Sequence, residues 1–124
     1  MPIEEEYYGD VVVLVLRGDM DAHMQPAYEA RLSRLLEVGT RYIIWDLHAV
    51  RILPSTAVGF LIQASQRVRA AGGRMALASV SRLVRGTLNM MGIGELFPMF
   101  SDRADAVKAF TEAAAQGDSS ADEG

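Results

Sequence analysis

Residues 42–78 read YIIWDLHAVRILPSTAVGFLIQASQRVRAAGGRMALA, and this stretch decides the fold class. It opens on Tyr42-Ile43-Ile44-Trp45-Asp46-Leu47, apolar at every position except Asp46. A run this short, with aromatic and β-branched residues, suits a strand buried on both faces better than a helix. Pro54 and Ser55 then open a helical stripe, in which Ala57, Leu61, Ala64, Val68 and Ala71 recur at steps of four, three, four and three. Gly72-Gly73 ends the stripe and leads into Met75-Ala76-Leu77-Ala78, a second buried strand. Strand, helix, strand is a parallel pair joined by a crossover, and such crossovers are right-handed.

The same alternation extends in both directions. Upstream, Val11 to Leu16 is a further β-branched strand, with Ile3, Tyr7 and Tyr8 ahead of it as a pairing strand and Gly9-Asp10 as the turn. From about Met24 to Val38 the spacing is helical, with Met24, Tyr28, Leu32, Leu35 and Leu36 on one face and Gly39 as the stop. Downstream, a helix is expected over about Ser81 to Met91, with Val84, Leu88 and Met91 inward and Gly92 ending it. Phe97 to Phe100 is a Pro-containing edge-strand candidate. A last helix runs over Asp102 to Ala115 with Val107, Phe110 and Ala114 inward. Residues 116–124, QGDSSADEG, read as a disordered acidic tail that leaves one domain over 1–115. The order predicts an α/β fold: a mixed β-sheet of four to five strands with about four helices packed on it. Folds of this type place function on the carboxyl side of the sheet, here the loops 18–23 and 49–56.

Composition removes several classes of function. At 124 residues there is room for one domain with a real core, and 50% hydrophobic with 23% charged is ordinary globular usage. A net charge of −4 lacks the basic footprint of a nucleic-acid binder. Zero cysteines exclude disulfides, thiol catalysis and Cys-based metal sites. His23 and His48, 25 positions apart, read as surface residues and are too few for a His-rich metal site. No catalytic constellation rises above chance, so no catalytic residue, metal or cofactor is expected. Glu4-Glu5-Glu6 before the first apolar run is the wrong charge for a signal peptide, and no run approaches a membrane span. The expectation is a soluble, cytoplasmic protein without membrane insertion.

Ser55 is the focal candidate, at the N-cap or first turn of the best helix. There its hydroxyl either caps the helix, or accepts a phosphate, which free N–H groups and the helix dipole would tolerate. Thr56 has the same chemistry. Asp21 reads as a turn or N-cap residue before the first helix. Asp46 ends a strand one loop before Ser55, where it either orients a hydroxyl or is simply solvated. Met90, Met91 and Met99 fit core filling, or an adaptable binding face.

Four pieces of the chain together resemble one family. They are LRGDMDAH (16–23), YIIWDL (42–47), VRILPSTAVGFLIQA (50–64) and AGGRMALASVSRLVRGTLNMMGI (71–93), with a looser match over Phe97 to Ala106. In this order they resemble the STAS domain family, specifically the bacterial anti-sigma factor antagonists. The family's phosphorylated loop reads D-S-[ST]-G-hydrophobic-G. Here it aligns with Pro54-Ser55-Thr56-Ala57-Val58-Gly59, with Pro54 in place of Asp and Ala57 in place of Gly. The resemblance implies that Ser55 is the phospho-acceptor, with Thr56 second, and that Asp21, Asp46, Pro54, Ser55 and Thr56 face the partner. It further implies partner switching: binding to an anti-sigma factor that is also a serine kinase, release on phosphorylation, reset by a phosphatase, and so control of a sigma factor. A homodimer fits the same picture. Two other readings stand beside it: a non-switching STAS scaffold in a sensory assembly, and a cytoplasmic STAS subunit of a lipid or anion transport system.

Overall fold

A computed structural model describes residues 3–117. Strands β1 (Ile3–Tyr8), β2 (Val11–Leu16), β3 (Tyr42–Asp46) and β4 (Arg74–Ala78) form one mixed sheet in the order β1-β2-β3-β4. β1 and β2 are an antiparallel hairpin turning at Gly9, whose positive φ (62°) suits a residue without a side chain. β2, β3 and β4 are parallel, with Val15, Asp46 and Ala78 in register. β2 and β3 are buried at every position because both faces of the sheet are covered.

Strands added in sequence order by right-handed crossovers send their helices to the same face. Helices α1 (Gln25–Glu37), α2 (Ser55–Ala70) and α3 (Arg82–Met90) therefore share one layer, and α4 (Arg103–Ala115) covers the other side. The larger core interleaves Leu14, Ile43 and Trp45 of the sheet with Leu32, Leu61 and Leu88 of the helices. Trp45 packs edge-on against Phe60 (5.4 Å) and Tyr28 (6.3 Å). Beneath α4, Val13, Ile44 and Ala76 meet Ala106 and Phe110.

The expected elements form, with corrections at two places. Met91 does not turn inward: it is the C-cap of α3 and is exposed, as is Met90, so core filling fails for both. The strand expected over 97–100 shrinks to one parallel bridge, Met99 to Leu77. Pro98 has no N–H to extend the ladder and only accepts the Leu77 N–H (3.0 Å), while Phe100 N–H donates to Leu77 (2.9 Å). Gln116 and Gly117 close the last turn of α4; the remainder of the acidic tail, 118–124, lies outside the described residues.

Candidate functional site

Because β2, β3 and β4 run parallel, the loops after them open on one edge of the sheet: 17–24, 47–54 and 79–81. The N-termini of α2 and α3 sit on that edge, and an edge of this kind is where α/β sheets place their sites. Ser79, just past β4, holds a positive φ (57°), a strained conformation for a residue with a side chain, as the chain turns into α3.

Pro54 is the N-cap of α2 and has no side-chain acceptor to offer. Ser55 is the first residue of the helix, so its hydroxyl does not cap it. Ser55 and Thr56 are both exposed, and neither hydroxyl has a hydrogen-bond partner among the described residues. Val58 N–H donates to Pro54 O (3.1 Å), which leaves the earlier amides of the turn facing the Ser55 surface without a capping side chain. Ala57 is buried in the core, so its methyl points away from that surface. An alanine in the place of the family's glycine adds nothing outside.

Asp21 is exposed and caps the short 3₁₀ turn Ala22–Met24, accepting the Met24 N–H at 3.2 Å. Asp46 behaves differently. It is 1% exposed and shares the sheet face of Tyr42 and Ile44, on the α4 side and opposite to α2. Its carboxylate accepts from Arg103 Nε (2.6 Å), the His48 N–H (2.9 Å) and His48 Nδ1 (3.2 Å). Arg103 also pairs with Glu6. The solvated reading of Asp46 is overturned, and with it Asp46 as a surface a partner touches. Burial would push this carboxyl up; the Arg103 guanidinium and the His48 N–H outweigh burial and hold it below the ordinary Asp value. In Glu6, the Tyr8 hydroxyl and Arg103 act in the same direction.

Two residues of this edge escaped the sequence reading. Asp19 Oδ1 accepts the Arg51 N–H (2.8 Å) and the Ile52 N–H (3.5 Å), tying the loop after β2 to the loop before Ser55. Arg103, 57 positions from Asp46, closes the edge from the α4 layer. Asp19 was legible only as part of the break after β2, because the N–H groups that donate to it lie more than thirty residues away. Among the described residues no group of three or more His, Asp or Glu side chains is placed to hold a metal, and no helix is long and apolar enough to cross a membrane.

The model of the STAS domain matches residues 2–106. The anti-sigma F factor antagonist of Lysinibacillus sphaericus is 29% identical over 86 residues, spanning 68% of this chain and 74% of that protein. The anti-sigma F factor antagonist of Paenibacillus polymyxa is 21% identical over 108 residues, spanning 86% and 92%. Among solved structures, unphosphorylated SpoIIAA, the Bacillus cell fate determinant, superposes with a TM-score of 0.76 at 24% identity, covering 89% of this chain and 96% of that one.

Proposed function

The chain belongs to the STAS domain family, and from that membership we propose that it is an anti-sigma factor antagonist working by partner switching, with Ser55 as the switch. Unmodified, the edge around Ser55 binds an anti-sigma factor that is also a serine kinase, which frees a sigma factor. Transfer of the ATP γ-phosphoryl group to the Ser55 hydroxyl, with ADP leaving, ends the complex; a phosphatase returns the hydroxyl by hydrolysis. The chain itself is a binding module in the cytoplasm and a kinase substrate, with no catalysis of its own.

The observation that carries this reading is the exposed Ser55 hydroxyl, without a partner among the described residues, in the first turn of a sixteen-residue helix whose cap is a proline. A phosphate there adds about −1.5 to −2 charges, which the free amides and the helix dipole accept without unfolding the helix. The same charge in a desolvated interface opposes the partner. Relatives named as anti-sigma F factor antagonists support the choice of partner.

The scaffold reading keeps one specific support. Pro54 stands where the family pattern has an aspartate, which removes a carboxylate from the kinase's side of the loop. Two steps separate the readings. Tagged wild-type chain is first recovered from its host and the protein bound to it identified by mass spectrometry. That protein is then titrated with variants. Under switching, Ser55→Asp binds at least about tenfold more weakly, ~1.4 kcal/mol, and Ser55→Ala binds as well as wild type. Equal binding by all three favours the scaffold.

A further inference from the structure

A lone exposed isoleucine carries no information by itself, since folded surfaces hold many apolar atoms. Ile52 differs in how it is held. It lies three residues before Ser55 and is 64% exposed, while its neighbours Val50 and Leu53 are buried. The backbone that carries it is fixed from two directions. Asp19 Oδ1 accepts the N–H groups of Arg51 and Ile52 from one side (2.8 and 3.5 Å). From the other, Asp46 accepts the His48 N–H and Leu47 O accepts the Val50 N–H, both at 2.9 Å. A β-branched side chain on a pinned backbone has little freedom left to lose on binding, and that preorganisation is what makes an anchor residue. Beside it, Arg51 is exposed and has no ion-pair partner among the described residues. Leu83, in the first turn of α3 on the same edge, is likewise 65% exposed.

We propose that Ile52 is the apolar anchor of the partner interface and that Asp19 is the positioning residue that holds it out. The occupant is the anti-sigma factor, which presents an apolar pocket bordered by a carboxylate that pairs with Arg51. This rests on the partner-binding reading of the Ser55 edge and adds to it the residues and chemistry of contact. Phosphorylation at Ser55 then acts beside the anchor, placing negative charge next to a carboxylate-bordered pocket, where like charges repel.

The test uses the full chain and the anti-sigma factor recovered with it, purified separately. Calorimetric titration compares wild type with Ile52→Ala, Arg51→Glu, Asp19→Ala and Asp19→Asn, and amide hydrogen exchange follows residues 51 and 52 in the free chain. Ile52→Ala and Arg51→Glu are expected to bind at least about tenfold more weakly with an unchanged melting temperature. Asp19→Ala is expected to weaken binding and to speed exchange at Arg51 and Ile52; Asp19→Asn, which keeps an acceptor oxygen, restores most of both. Ile52→Ala within about twofold of wild type overturns the anchor, and unchanged exchange in Asp19→Ala overturns the positioning role. A wild-type chain that binds no anti-sigma factor sinks the proposed function itself; a wild type that binds, with Ser55→Asp weakened and Ile52→Ala normal, sinks this inference alone.

Discussion

Asp46 illustrates how one residue is decided by what lies far from it in sequence. Its place at the end of an apolar run is visible in residues 42–47, but whether it is solvated or buried depends on Arg103, which folding delivers from α4. Long-range ion pairs have no periodicity, so nothing in the sequence announces this one, nor the bond from Asp19 to Arg51 and Ile52. The positions of Ser55 and Asp21 were legible because they are set locally: one follows a proline at a helix start, the other caps a turn three residues ahead. The Asp46 pair also makes a pH-dependent prediction. A carboxyl held below its unfolded value adds stability at pH values above that value, near 4, and loses it as the pH falls through the native pKa. Asp46→Asn is expected to cost ~2–4 kcal/mol at pH 7 in denaturant unfolding, at or below the range for breaking a buried pair because Arg103 is part-exposed. The gap from wild type closes as the pH is lowered below about 4. Glu5 is present in both proteins and pairs elsewhere, so it cancels in the difference; Glu6 shares Arg103 with Asp46 and alters the size of the gap but not its sign. A gap independent of pH would show that Asp46 is not charged in the native state.

At the level of elements, periodicity was sufficient wherever packing was continuous and failed at ends. The stripe over 57–71 places Leu61 at the sheet, and Leu61 is fully buried. Leu61→Ala is therefore expected to lose ~2–5 kcal/mol by chemical denaturation; a loss below about half a kcal/mol would break the register of α2. The Val84–Leu88 spacing, carried one step further, wrongly turned Met91 inward, because α3 ends at Met90 and Met91 is its C-cap, where the helical period no longer applies. The acidic run Glu4-Glu5-Glu6 read only as a charge unsuited to a signal peptide. In the fold it is an edge strand whose alternating side chains reach both layers: Glu5 pairs with Arg31 (2.7 Å) and Arg34 (2.9 Å) of α1, and Glu6 with Arg103 of α4. Gly73 has a second reason to be glycine besides ending α2. A Cβ there would press into the backbone of Arg41, whose carbonyl accepts the Arg74 N–H at 2.7 Å. Gly73→Ala forces β3 and β4 apart at their start and is expected to cost ~1–3 kcal/mol; an unchanged melting curve would show that the strand entry yields freely.

At the scale of the molecule, the described residues put three helices on one face of the sheet and one on the other, and three loops, two helix starts and the exposed Ser55 converge on one edge. The buried carboxylate of Asp46 and the Arg103 guanidinium tie the loop before Ser55 to the α4 layer, while Asp19 ties it to the loop after β2. An edge built this way presents a fixed surface, and under the proposed switching a phosphate on Ser55 acts on it through charge. The most direct measurement is the intact mass of the chain after incubation with its purified anti-sigma factor and Mg-ATP, alongside Ser55→Ala. The account requires wild type to gain the mass of a single phosphate, mapped by fragmentation to Ser55, and Ser55→Ala to gain none. An unmodified wild type, or a phosphate carried equally by Ser55→Ala, contradicts it.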